Sequence, residues 1–281
     1  MSSPAHYTWR KLGAAKWEDA WVERLRWISD RLAITSLAGA RTIRMEAYEL
    51  TRPQAEKLRE GFGGVIALQK KQRAVSEPLH APIRVRNKLI VAASEKERAQ
   101  FAKTAPDRKV LVIPAGMAFG TGDHATTAAC LRLLADVSEE LGSQSWEMLD
   151  LGCGSGILAL AASMLGARRA LAGDFDPHAV RTAKENVRAN AITGVTVKKM
   201  DVRVWQPPRA WDVVAANLYS GLLIETAPRI AAACASGGRF IFSGILRTQE
   251  AEALRVLKKA GFGIQRLTRK GKWVAGMAVR K

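Results

Sequence analysis

The densest chemical signal in the chain is the run Met148-Leu149-Asp150-Leu151-Gly152-Cys153-Gly154-Ser155-Gly156, an apolar stretch that ends in an acid and then in alternating glycines. Gly152, Gly154 and Gly156 make a turn whose bare backbone a ligand can approach closely. A dinucleotide fingerprint needs glycine at position 157, which is Ile157, so a nicotinamide dinucleotide fits poorly. Asp150 at the strand end would repel a pyrophosphate but suits the ammonium of an amino-acid-bearing ligand. Asp174 follows Gly152 by 22 residues, at the end of the next strand, where an acid accepts both hydroxyls of a ribose. Together the two acids and the turn describe S-adenosylmethionine as the cofactor. Asp201, after the third strand, is a candidate partner for the adenine amine, or a plain solvent-exposed loop aspartate.

Asn217 closes the fourth strand of the series. Ligands of open α/β sheets sit at the carboxyl ends of the strands, so its amide would face the group to be transferred. The alternative for Asn217 is a helix cap. In amine methyltransferases an Asn or Asp followed by prolines orients the attacking nitrogen, whereas Leu218 and Tyr219 follow here. That departure argues against the nucleobase and glutamine enzymes. His124 has the near-neutral pKa of a proton acceptor, or it orders its loop through a hydrogen bond. No metal is expected, because the four histidines stand 44 to 74 residues apart and there is neither a CxxC pair nor an HExxH helix.

The elements that must position these residues follow from periodicity. From 147 onward, strands at 147–151, 169–173, 195–200 and 211–216 alternate with helices starting at 155 and spanning 177–190 and 220–235. A strand at 238–243, a helix at 248–260 and a last strand at 273–280 complete the series. Such alternation predicts an α/β, doubly wound, mostly parallel Rossmann-like sheet. Ahead of it, 109–113 reads as a strand, and a loop leads to a helix over 128–136 that Thr126 or Thr127 would cap. The first 80 residues predict a smaller N-terminal α/β domain. Its elements are an amphipathic helix carrying Trp17, Ala20, Trp21, Leu25, Ile28 and Leu32, a strand at 42–48, a helix from 51 to 60 and a strand at 65–68. Residues 81–108, with prolines at its onset, a strand-like stretch and a helical one, read as a linker, leaving 109–281 as the cofactor domain. Trp9, Trp17, Trp21 and Trp27 could form a base-stacking surface, but helical spacing favours core packing.

At 281 residues, 48% hydrophobic and 25% charged, the chain has an ordinary globular composition. It has no apolar run long enough for a membrane span and no signal peptide. Three widely spaced cysteines suit reduced thiols in the cytoplasm. The net charge of +18 is spread over both halves, +10 over 1–110 and +8 over 111–281. It is either a solubilising surface or a footprint for RNA or a ribonucleoprotein.

The segment Ala118-Phe119-Gly120-Thr121-Gly122-Asp123-His124-Ala125-Thr126-Thr127, with 150–156, Asn217 and Phe242-Ser243-Gly244-Ile245-Leu246, resembles the ribosomal protein L-eleven methyltransferase family over roughly 108–281. The resemblance implies a class I S-adenosylmethionine-dependent protein N-methyltransferase whose first domain recognises the substrate. Its cofactor contacts fall on Thr127, Gly152, Asp174 and Asn217, with the loop from Phe119 to Thr127 closing over the cofactor. It implies methyl transfer to α-amino and/or lysine ε-amino groups of a large-subunit ribosomal protein, with ribosomal RNA contact through the basic surface. Oligomeric state is left open. Two other readings stand beside it: an RNA methyltransferase acting on an exocyclic base amine, and a ribosome-assembly factor without turnover.

Overall fold

The computed structural model describes residues 6–14, 17, 21, 24–36, 42–68, 82–114 and 125–281. The chain divides into two compact units, Met1–Pro78 and Leu79–Lys281.

In the first unit β1 (Tyr7–Ala14), β2 (Leu32–Ser36), β3 (Thr42–Leu50) and β4 (Val65–Leu68) form an antiparallel sheet in the order β2-β3-β1-β4. Alternation in β3 turns Ile43, Met45 and Ala47 to one face, where they pack with Trp9, Leu25, Ile28 and the α1 (Arg52–Phe62) residues Ala55 and Leu58. The start of α1 is fixed by a capping box in which the Thr51 N–H donates to Gln54 Oε1 at 2.9 Å. Its end is fixed by Gly63 at φ 70°. The expected helix running from Trp17 to Leu32 lies partly outside the described residues; Trp21 and Arg24 are helical, but the helix does not reach Leu32. Arg26–Arg31 is a 3-10 turn with Ile28 at φ −126°, and Leu32 already opens β2. Trp9 is fully buried, with its Nε1 donating to the Gly63 carbonyl at 2.7 Å, and Trp21 is half-buried. Trp17 and Trp27 are 58% and 43% exposed, so core packing accounts for only part of the tryptophan group.

The second unit opens with β5 (Ile83–Val85), β6 (Leu89–Ala92), α2 (Glu95–Thr104) and β7 (Lys109–Val112), the strands forming a sheet in the order β5-β6-β7. This corrects the linker expected at 81–108. Both faces of the small sheet are buried. Val85, Leu89 and Val91 join the large core, while Ile90 and Ala92 pack with Phe101 of α2. Prolines at the onset of the stretch marked a boundary, but the apolar alternation behind them belongs to the second unit.

There follow α3 (Ala125–Leu141), β8 (Glu147–Leu151), α4 (Ile157–Met164), β9 (Arg169–Asp174), α5 (Pro177–Ala189), β10 (Val195–Lys199), β11 (Trp211–Asn217), α6 (Ser220–Ala233), β12 (Cys234–Leu246), α7 (Glu250–Lys259), β13 (Phe262–Lys270) and β14 (Trp273–Arg280). The seven strands run β10-β9-β8-β11-β12-β14-β13, parallel from β10 to β12 and antiparallel at β14 and β13. This is the doubly wound sheet expected from the alternation, with β13 as a strand that the sequence pattern missed. Successive residues of β11 feed opposite cores. Val213 and Ala215 pack with α3, α4 and α5, while Val214 and Ala216 pack with α6 and α7. The strand order reverses between β8 and β11, which opens a crevice beyond their carboxyl ends. Among the described residues no helix is long and apolar enough to cross a membrane.

Candidate functional site

The glycine turn between β8 and α4 forms one wall of that crevice. Gly152, Gly154 and Gly156 have φ of 68°, 53° and 79°, in the left-handed region that glycine adopts without steric cost. A side chain on Gly152 would run into Leu218, and one on Gly156 would lie 3.0 Å from both Ala183 and Leu160, so α4 packs closely only over glycine. The Gly152 and Cys153 amides donate to the Gly173 carbonyl at 2.8 and 3.0 Å, tying the turn to β9. Asp174, the last residue of β9, accepts the Gly154 amide at 2.9 Å on one oxygen and the Asp176 amide at 3.0 Å on the other. Each oxygen keeps a lone pair for a further donor. Asn186 of α5 donates to the Ser155 carbonyl at 2.9 Å and braces the turn from behind.

Asp150 lies on β8 in register with Ala215 of β11 and is 1% exposed. Its carboxyl accepts the Ala159 amide at 3.3 Å. Burial pushes its pKa up to about 7, the Ala159 hydrogen bond opposes the shift, and the negative field of Asp174 adds to it. A buried acid so weakly compensated is poised to accept a cation.

Asn217 ends β11 opposite Ser243 of β12. Its Nδ2 donates to Thr126 Oγ1 at 3.3 Å and to Thr127 Oγ1 at 3.4 Å, both on α3. Its Oδ1 is buried and has no hydrogen-bond partner among the described residues. The two threonines were expected as caps. They lie instead inside the first turn of α3, almost wholly buried, with their hydroxyls toward the end of β11. The segment from Phe242 to Leu246 backs this arrangement. Gly244, at φ 85°, lets the strand pass so near the Leu218 backbone that a side chain there would overlap the Leu218 carbonyl.

Asp150, the three glycines, Asp174, Thr127 and Asn217 therefore belong to one constellation around the turn, β11 and the start of α3. Asp201 is engaged within its own loop. Arg203 donates to it from the backbone N and Nε, both at 3.0 Å, and from Nη2 at 2.7 Å, and holds the carboxyl below its usual range. Phe119 and His124 lie outside the described residues. Sequence reasoning missed the contact of Thr126 with Asn217, and it missed Phe175, 62% exposed directly after Asp174. An aromatic residue following the acid at the strand end was the available signal for Phe175.

The three thiols are buried and held in their protonated form. Burial pushes Cys130 and Cys234 up to about 12 and Cys153 still further. Among the described residues no group of three His, Cys, Asp or Glu is placed to hold a metal ion.

Comparison with known proteins gives this geometry a context. The family described as ribosomal protein L11 methyltransferase (PrmA) matches residues 67–281. A ribosomal protein L11 methyltransferase of Pelobacter propionicus is 38% identical over 200 residues, covering 69% of this chain and 62% of that protein. One from Azotobacter vinelandii is 40% identical over 171 residues, covering 61% and 56%. The chain thus spans a little over half the length of the curated relatives it matches. A crystal structure of ribosomal protein L11 methylase from Lactobacillus delbrueckii subsp. bulgaricus superposes with a TM-score of 0.62 at 28% identity, covering 71% of this chain and 98% of that one.

Proposed function

Because the chain belongs to the ribosomal protein L11 methyltransferase family, we propose that it is an S-adenosylmethionine-dependent protein N-methyltransferase acting on ribosomal protein L11. The target groups on this reading are α-amino and/or lysine ε-amino nitrogens. The observation that carries it is the buried Asn217 Oδ1, without a partner among the described residues, at the carboxyl end of β11, next to the strand that bears Asp150 and leads into the bare glycine turn.

The residues fit the cofactor. Asp150 is a buried carboxyl without a cation partner among the described residues, suited to an ammonium. Gly152, Gly154 and Gly156 keep the backbone open to close approach. Asp174 retains one lone pair on each oxygen for ribose hydroxyls, and the exposed Phe175 ring beside it offers an apolar face for a base. When bound, S-adenosylmethionine supplies a sulfonium methyl as the electrophile. Asn217 Oδ1 accepts an N–H of the incoming amine and so directs the nitrogen lone pair, a contribution through positioning. The amine must be neutral. Reference pKa values of about 8 for an α-amine and 10.4 for lysine put that cost at pH 7 at roughly 1.4 and 4.6 kcal/mol, so the α-amine is the easier target. His124 is a candidate proton acceptor, Asp201 a candidate partner for the adenine amine once released from Arg203, and the loop from Phe119 to Thr127 a candidate cover. The Met1–Pro78 unit is a candidate substrate-recognition domain, its first 66 residues lying ahead of the family match. Three buried free thiols support the cytoplasm as the compartment.

The test is transfer of radiolabelled methyl to purified L11, ribosomal RNA and total lysate, with and without ribonuclease. Label in L11 that survives ribonuclease is the expected result, and Asn217→Ala should lower it on the order of a hundredfold, as loss of a transition-state hydrogen bond does. The net charge of +18 favours ribosomal RNA contact. Label confined to RNA would replace the protein reading by transfer to a base amine, and no label in any fraction would point to a factor without turnover.

A further inference from the structure

An amide side chain can sit in either of two orientations with its oxygen and nitrogen exchanged, and only its neighbours distinguish them. For the reaction proposed above, on which this inference rests, the two are not equivalent. With the oxygen outward, Asn217 accepts an N–H of the amine and leaves the nitrogen lone pair free. With the nitrogen outward, it donates to that lone pair and blocks it.

The structure has the nitrogen inward. Asn217 Nδ2 lies between Thr126 Oγ1 and Thr127 Oγ1, at 3.3 and 3.4 Å, while Oδ1 is the atom left without a partner. A hydroxyl oxygen carries two lone pairs, so each Oγ1 can accept from the amide wherever its own proton is directed. Two adjacent acceptors on the first turn of α3 therefore select the orientation in which the nitrogen points at them. Both threonines are buried, Thr126 at 2% exposure, which keeps water from competing for the amide. We infer that Thr126, with Thr127 beside it, is a positioning residue that locks the Asn217 amide with its oxygen toward the incoming amine.

Thr126→Val keeps the shape and removes the acceptor, and Thr126→Ser keeps the acceptor. Losing one amide-orienting hydrogen bond should lower kcat about tenfold, equivalent to about 1.4 kcal/mol, with the affinity for S-adenosylhomocysteine, measured by calorimetry, unchanged within twofold. Thr126→Ser should recover most of the rate. In an Asn217→Ala background, Thr126→Val should have no further effect. An equal loss in that background, or a valine variant as fast as the parent, overturns the inference. A readout independent of turnover is the side-chain amide pair of Asn217 in 15N-labelled protein, assigned by its absence in Asn217→Ala. Its protons should exchange slowly with solvent in the parent and in Thr126→Ser, and several-fold faster in Thr126→Val. Identical exchange in the valine variant also overturns the inference. If the parent transfers no methyl group to any acceptor while Thr126→Val still accelerates exchange, the methyl-transfer reading fails and the amide positioning stands.

Discussion

Asp150 links function and stability at a single carboxyl. Burial raises its pKa in the folded chain from near 3.8 to about 7, so the folded state holds its proton over a range where the unfolded state has lost it. Below about pH 4 both states are protonated and the residue makes no pH-dependent difference. Between there and pH 7 stability falls as pH rises, and above pH 7 the full cost, on the order of 4 kcal/mol, is present. Asp150→Asn should therefore raise Tm relative to the parent at pH 8 and leave it little changed at pH 4, as calorimetric scans at both values would check. Binding runs the other way, because an ammonium needs the carboxylate. The affinity of the parent for S-adenosylhomocysteine should strengthen with pH up to about 7, and Asp150→Asn should remove that dependence. The position of Asp150, the glycines, Asp174 and Asn217 was legible from sequence because the acids and Asn217 stand at or next to the ends of short apolar runs and the glycines follow the first of them. The partnership of Thr126 with Asn217 spans 91 residues and leaves no local trace, since a Thr-Thr pair before a helical run reads equally well as a cap.

Among the elements, two contacts hold the crevice in shape. Gly244 lets β12 pass beside the Leu218 backbone. Gly244→Ala combines left-handed strain with a clash against backbone that cannot yield, and should cost about 3 kcal/mol. Gly271→Ala, at φ 58° with open space around it, should show only the strain, about 1 kcal/mol. Urea denaturation of the pair separates the two causes. The second contact is Asn190, at the end of α5. Its Oδ1 accepts Val112 N at 2.8 Å and Arg98 Nη2 at 2.5 Å, while its Nδ2 donates to the Val112 carbonyl at 2.7 Å. It thereby fastens β7 to the helix whose Asn186 braces the glycine turn. Asn190→Ala should destabilise by about 3 kcal/mol, because it strips buried partners rather than surface ones, again measured by urea denaturation. Element reading from sequence failed where one pattern served two structures. The three-and-four spacing continues past the helical Trp21 and Arg24 into a 3-10 turn at Arg26–Arg31 and a strand from Leu32. β13 carries Arg266, Arg269 and Lys270 on a sheet edge, too charged to display a clear apolar alternation.

At the scale of the molecule, the site residues among those described all lie in Leu79–Lys281, and each unit has its own apolar core. A fragment beginning at Leu79 should therefore unfold cooperatively and bind S-adenosylhomocysteine within threefold of the full chain, as calorimetry would check. The doubly wound architecture was legible because strand and helix periods alternate cleanly from 147 onward. The membership of 83–112 was not, because pairing of β6 with β7 across an intervening helix is a tertiary fact. The three cysteines, all walled in with thiols held in their protonated form, have a practical corollary. Maleimide reagents at neutral pH should leave the native chain unlabelled, so a cysteine introduced on the surface of each unit becomes a unique attachment point for a fluorophore. Energy transfer between the two dyes would then report the separation of the units in solution, without removal of any natural thiol.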